Sequence, residues 1–268
     1  MTFWQDLLRV LNSSMETPAL YGWYHLLCLA LTVAVTFLLC RYYRGRPNRL
    51  ILITALLVIF LEIYKQINYS FGYENGVTFD YQWYSFPFQF CSTPMYVGLL
   101  AGLTQKGRLH QSACAYLATF AVFAGLCVML YPGDVFCTTI GINIQTVICH
   151  GSMIAIGVYL MATGYVKLEH KTILKAIPMF VVFLLMAMTM NEIAYRSGLL
   201  ETETFNMFYI SPYCPPHLPI YSLVQEMVPY PLCLLIYVAG FTVAAYLILL
   251  IGIGCKALAT KRRKKIAV

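Results

Sequence analysis

The sequence predicts an all-α polytopic membrane helix bundle of about seven transmembrane helices, with the N-terminus outside and the C-terminus cytoplasmic. Three observations predict it. Of 268 residues, 60% are hydrophobic and 11% charged, whereas a soluble domain carries about a quarter charged residues. The apolar residues gather into seven stretches, each near the roughly 20 residues that cross about 30 Å of hydrocarbon. The basic residues fall in alternate connections between those stretches.

The elements follow in order. Residues 1–18 (MTFWQDLLRVLNSSMETP) lack a basic n-region and an unbroken apolar core, so they do not read as a cleavable signal peptide. Phe3, Trp4, Leu7, Leu8 and Leu11 recur at roughly helical spacing and predict an interfacial helix. Spans are expected at 20–40, 50–70, 86–104, 111–131, 140–165, 173–195 and 230–254. Pro87, Gln89 and Pro94 interrupt the third. The one long connection is 196–229. Its stretch 204–229 is rich in proline and aromatics and reads as an outer lid or re-entrant loop, because irregular backbone near a membrane must be covered by protein or face water. His217, among those prolines, reads as a surface loop residue. The organisation is thus an interfacial segment 1–18, a seven-helix domain 19–255 and a basic tail 256–268. No internal repeat stands out, so an inverted-repeat transporter gains little support.

The formal charge of +7 does not point to nucleic acid, because of how it is distributed. Arg41, Arg44, Arg46 and Arg49 lie between spans 1 and 2; Lys106 and Arg108 between 3 and 4; Lys167, Lys171 and Lys175 between 5 and 6. Lys256, Lys261, Arg262, Arg263, Lys264 and Lys265 follow span 7. The opposite side and its membrane half hold Arg9, Lys65 and Arg196. The positive-inside rule then sets the orientation, and the tail reads as an anchor touching anionic lipid.

That topology converts positions into depths. Glu62, Lys65, Gln66 and Tyr69 share one helix face in the outer half of span 2. Gln89 and Cys91 lie near the outer end of span 3. Asn143, Thr146 and His150 line one face of span 5, with His150 slightly outside the midplane; span 6 ends in Asn191, Glu192 and Arg196. Ionisable groups inside a membrane cost about 2.5–3.5 kcal/mol each on insertion scales and persist when paired or when lining a wet cavity. Glu62 with Lys65, and Glu192 with Arg196, have the spacing of ion pairs. Taken singly, each pair is as readily a brace for the bundle. Four spans converging at one depth predict an outer cleft.

Ten cysteines include no CxxC, and most lie in apolar spans as small packing residues. Cys137 and Cys214 fall in outer connections and would pair only in an oxidising compartment. No GxSxG elbow, P-loop, GxGxxG or HExxH occurs, and no two histidines stand at i, i+4, so a helical metal site is unsupported. A lone histidine in an apolar span is usually a structural hydrogen-bonder. His150, however, has a polar face and a cysteine at similar depth on another span, and an adjacent imidazole is a common activator of a thiol.

Three motifs carry a resemblance. Phe86-Pro87-Phe88-Gln89-Phe90-Cys91-Ser92-Thr93-Pro94-Met95, then Cys149-His150-Gly151 before an apolar helix, then Asn206-Met207-Phe208-Tyr209 before Pro215-Pro216, follow one another in the order found in the bacterial YwaF-type integral membrane proteins. The chain resembles that family over nearly its whole length. Gln89 stands where the family run Leu-His-Leu, or a relative of it, has its histidine. The family is grouped with a eukaryotic transmembrane acyltransferase that remodels ether phospholipids through a cysteine and a histidine. The resemblance implies Cys91 as nucleophile, His150 as base, an acyl-enzyme, no cofactor, phospholipid and lysolipid partners, and a bacterial cell membrane. Glu62, Lys65, Gln66, Gln89, Asn143, Thr146, Asn191, Glu192, Arg196 and Asn206 are the expected substrate-binding set. Gln89 or Asn143 is expected to donate to the oxyanion, and Asn191 or Glu192 to orient His150. A lipid esterase would use the same dyad with water as acceptor. A transporter or sensor of a small amphiphile would instead use Glu62, Lys65 and Glu192, with Cys91 only packing. A purely structural assembly subunit would have no cleft.

Overall fold

The computed structural model describes residues 10–72, 78–198, 204–214 and 219–266. The interfacial residues Phe3, Trp4, Leu7 and Leu8, together with Arg9, Pro215-Pro216 and His217, lie outside them. The described chain is mostly helical with almost no strand, so the expected all-α polytopic bundle is what forms.

Helix α1 spans Trp23–Tyr42 and α2 spans Pro47–Ser70. Pro47 opens α2 at a position where its missing N–H has no helical partner to lose. A two-stranded ribbon, β1 (Phe71–Gly72) with β2 (Thr78–Phe79), follows. Then come α3 (Thr93–Leu103), α4 (Arg108–Ala118), α5 (Phe120–Leu130), α6 (Ile140–Ala162), α7 (Lys171–Arg196), α8 (Pro219–Met227) and α9 (Tyr230–Ile266). Only Thr119 separates α4 from α5, and together they make one span. Among the described residues six helical stretches are long and apolar enough to cross a membrane, and α3 is a shorter apolar seventh.

The third span therefore differs from expectation. The sequence predicts a crossing over 86–104, but only Thr93–Leu103 is helical. Eleven residues rise about 16 Å, roughly half the hydrocarbon thickness. Pro87 removes a backbone donor ahead of the helix, while Pro94 sits in its first turn, where it is tolerated. Residues 86–92 instead run as irregular backbone held by side chains. Tyr96 Oη donates to the Pro87 carbonyl at 2.8 Å, and Gln66 Nε2 to the Ser85 carbonyl at 2.8 Å.

Helix α3 lies antiparallel against α2. Gly102 faces Leu52, Gly98 faces Ala55, and Met95 packs on Val58. The approach at Gly102 excludes a side chain, since a Cβ there would sit 2.6 Å from that of Leu52. Small residues that let helix backbones close up are the usual device in membranes.

Hydrogen bonds at the two ends fix which connections lie together. At one end Asn48 Nδ2 donates to the Thr104 carbonyl at 2.8 Å, His110 meets Thr104 and Tyr165, and Tyr165 Oη donates to Asn48. At the other, Tyr64 Oη and Asn68 Nδ2 donate to Asn12 Oδ1, Ser14 bridges Thr139, and Tyr21 Oη donates to the Leu130 carbonyl. The alternation read from the basic residues thus holds in space, and the 48/104/165 end carries the cations. The most apolar stretches of α4–α5 and α6 are 72% and 67% buried, against 17% for α1 and α9. The former make the core and the latter face lipid with residues such as Phe37, Leu235 and Ile251.

Candidate functional site

Cys91 sits in the turn immediately before α3. Continuing the register of α3 on α2 one residue for one residue, past Met95 opposite Val58, brings Cys91 to the level of Glu62. That level is about 12 Å below the outer end of α2, at 1.5 Å per residue. The thiol therefore lies deeper than a continuous third span would put it, at the start of a half-length helix. A helix N-terminus favours a negative charge there.

Glu62 is buried, and three donors satisfy its carboxylate. Lys65 Nζ lies 2.7 Å from Oε1, Gln66 Nε2 donates to Oε1 at 2.8 Å, and Gln145 Nε2 donates to Oε2 at 3.3 Å. Two come from the same face of α2, as their spacing predicts, and the third from α6. Gln145 Nε2 also donates to Cys149 Sγ at 3.3 Å. The Lys65 ammonium is an electrostatic neighbour of both Cys91 and His150.

His150 is buried on α6. Its Nδ1 lies 2.7 Å from the Thr146 carbonyl. A carbonyl only accepts, so Nδ1 carries the hydrogen and Nε2 the lone pair. Nε2 is buried and has no hydrogen-bond partner among the described residues. His150 follows Gln145 by about 7.5 Å along α6, but helical side chains lean toward the N-terminus, here the outer end, which tips the ring toward the Cys91 level. No hydrogen bond joins Cys91 to His150 in this structure. Catalytic hydrogen bonds are often long before substrate arrives.

A second set of polar groups clamps residues 206–211 over the Cys91 turn. Gln89 Nε2 donates to the Asn206 carbonyl, and Phe208 N–H donates to Gln89 Oε1, both at 2.9 Å. Asn191 Nδ2 donates to the Met207 carbonyl at 3.0 Å, and Met207 N–H donates to Asn191 Oδ1 at 2.7 Å. Tyr237 Oη donates to the Phe208 carbonyl at 3.0 Å, and Ser211 N–H to Asn206 Oδ1 at 2.8 Å. Phe208 and Tyr209 take left-handed φ values of 60° and 55°. Such backbone costs on the order of 1–3 kcal/mol per residue and persists where the surroundings over-determine it. Burial pushes the Tyr209 phenol up, with Cys91 and Asp134 as further causes. Asn206 Nδ2 is buried without a partner among the described residues.

Glu62, Lys65 and Gln66 lie in the outer half of α2, with Cys91 at the Glu62 level, and His150 stands about 7.5 Å deeper along α6, its imidazole held by the Thr146 carbonyl. Gln89, Asn191 and Asn206 form the clamp. Glu192 pairs with Arg196 as the spacing predicts, but the pair is exposed at the end of α7, where Glu192 also accepts from Tyr213 Oη at 2.8 Å. Two expectations change. Gln89 ties both ends of its amide to backbone and keeps one further N–H on Nε2. Asn143 accepts from Cys137 N–H at 2.9 Å and donates to the Cys137 carbonyl at 2.7 Å and to Met15 Sδ at 3.3 Å, so its amide is not free to meet an oxyanion. His150 is oriented by the Thr146 carbonyl rather than by Asn191 or Glu192. Cys137 and Cys214 are free thiols. Gln145 escaped the sequence reading, and Cys149 entered it only as a motif neighbour of His150. Their signal was a polar residue four positions before a cysteine, at the Glu62 depth. Among the described residues no group of three or more His, Cys, Asp or Glu side chains could hold a metal ion.

A groove of about 470 Å³ opens beside this set, between α2 and α3. Ile59, Ile63, Ile67 and Met95 give it apolar walls, and Glu62 and Gln66 a polar strip. Ile63 and Ile67 are themselves lipid-facing, so the groove opens sideways. Gln66 Oε1 and Ser70 Oγ in its lining are buried without partners among the described residues.

A family model described as the TMEM164 family matches residues 20–251. No curated protein and no solved structure matches the chain.

Proposed function

This chain belongs to the TMEM164 family, a family of transmembrane proteins, and we propose that it is a membrane-embedded lipid acyltransferase working through Cys91 and His150. The observation that carries this is the His150 Nε2 lone pair, buried and unpartnered, on a ring that shares Lys65 as electrostatic neighbour with Cys91.

The steps follow from the groups present. His150 Nε2 takes the Cys91 proton, and Lys65 with the α3 N-terminus stabilises the thiolate. The sulfur attacks the ester carbonyl of a phospholipid that has slid in along the α2–α3 groove. The oxyanion meets Asn206 Nδ2, a buried donor without another partner on the segment that Gln89 ties to the Cys91 turn. The carbon–oxygen bond to glycerol breaks, and His150 returns its proton to the departing lysolipid oxygen. An acceptor hydroxyl, deprotonated by His150, then attacks the thioester. The carbon–sulfur bond breaks, and the sulfur recovers the proton from His150.

Intact-protein mass spectrometry after incubation with phospholipid tests the reading. An added acyl mass is expected that disappears with hydroxylamine and in Cys91→Ala. Full turnover by Cys91→Ala would overturn it. The same dyad with water as acceptor makes an esterase; re-esterified product on addition of lysolipid separates the two. A transporter or sensor predicts uptake or binding that survives Cys91→Ser and is lost in Glu62→Gln.

A further inference from the structure

A larger cavity lies at the opposite, cation-rich end of the bundle, away from Cys91. It occupies about 950 Å³ between α5, α6, the 163–169 turn and α9. Its upper walls are apolar, with Leu126 from α5, Val158 from α6 and Ile248 and Ile251 from α9. Its mouth is polar, with Lys167 on the turn and Lys256 and Thr260 on α9. Neither lysine has an ion-pair partner among the described residues. Glu169, the acidic group in the lining, lies 3.9 Å from Lys175 instead.

The two chemistries are stacked along the membrane normal. Ile248 precedes Lys256 by eight residues, about 12 Å of helix. Gly125, next to Leu126, packs on the His150 carbonyl, twelve residues or about 18 Å of helix from Ala162 at the basic end. A ligand that fills this space needs an anionic head at the cytoplasmic interface and a long apolar tail reaching well into the hydrocarbon. We propose that this groove is a binding site for an anionic phospholipid of the cytoplasmic leaflet, with its phosphate between Lys167 and Lys256 and an acyl chain between α5–α6 and α9. Basic pockets between transmembrane helices on the cytoplasmic side suit such headgroups. The site stands whether or not Cys91 transfers acyl groups.

Native mass spectrometry of the full chain released from phosphatidylcholine nanodiscs containing a minority of phosphatidylglycerol tests it. Retained phosphatidylglycerol is expected in preference to phosphatidylcholine. Lys167→Gln with Lys256→Gln should lower that retention about thirtyfold, with unchanged thermal unfolding because both side chains are exposed. Lys261→Gln with Arg262→Gln, beyond the groove on the same helix, should leave it intact. Equal loss in both double variants would mean a diffuse charge layer and overturn the site, as would no preference in the parent protein. Displacement of the lipid by inorganic phosphate alone would make this an anion site and overturn the lipid assignment.

Discussion

Glu62 places a carboxylate inside the membrane and meets it with an ammonium and two amides. That satisfaction decides what removing one partner does. Lys65→Met leaves a buried charge with amide donors alone, and breaking a buried pair costs roughly 3–5 kcal/mol. We expect the variant to unfold at clearly lower temperature in detergent, and Lys65→Met with Glu62→Gln to recover much of the loss. The single variant should also slow alkylation of Cys91 by maleimide, because Lys65 is its cationic neighbour. Unchanged melting and alkylation would show that Lys65 acts on neither group. The α2 part of this set was legible in sequence, since Glu62, Lys65 and Gln66 share a helical face. Gln145 was not, because its bond to Glu62 crosses between helices and no periodicity within α6 announces it. His150 was found, but not the Thr146 carbonyl that sets its hydrogen. A backbone acceptor four residues back exists for every helical residue and becomes visible only in the ring's rotamer.

At the scale of elements, the half-length α3 and the clamp over it set the depth of Cys91. The interruption was readable from Pro87 and Pro94, but its consequence was not. A span that begins midway needs other elements to satisfy its irregular approach, and the suppliers sit more than a hundred residues away, at Phe208 and Asn206. Gln89→Leu removes both ends of that tie while nearly keeping the volume. Each buried backbone group left unpaired costs about 1–3 kcal/mol, and Phe208 would lose a restraint on its left-handed backbone. Limited proteolysis should then cut within 204–214 markedly faster than in the parent, and transfer by Cys91 should fall with it. A cleavage pattern identical to the parent's would show that Asn191 and Tyr237 suffice to hold the segment. Gly102→Val addresses the other face of α3. Its new Cβ would sit 2.6 Å from Leu52 Cβ and 2.8 Å from Leu52 Cα, and overpacking costs typically about 1–3 kcal/mol. A lower melting temperature is expected there without faster cleavage at 204–214, which separates helix packing from the clamp.

For the whole molecule, the placement of both proposed lipid sites depends on one orientation. The sequence carried it in the run of arginines and lysines through alternate connections, and the hydrogen bonds of Asn48, Thr104, His110 and Tyr165 gather those connections at one end. Ser14, bridged to Thr139, marks the other end, and Cys255, exposed on α9, marks the basic one. The third span is the weak link, because α3 alone is too short to cross. Residues 80–92 must complete the passage from the outer face; without it the crossings would number six, and everything after α3 would be reversed. Single-cysteine proteins retaining Cys255, or carrying Ser14→Cys on a cysteine-free background, should therefore react from opposite sides. A membrane-impermeant maleimide added to sealed right-side-out vesicles is expected to label Ser14→Cys and to reach Cys255 only after permeabilisation. The reverse order would put the α2–α3 groove and Cys91 in the cytoplasmic leaflet half and the Lys167–Lys256 groove outside. The chemistry of each site would survive, but the lipid pool it meets would change. Labelling of both from one side would mean that the 80–103 segment dips in and returns, and the basic ends that now sit together would have to part.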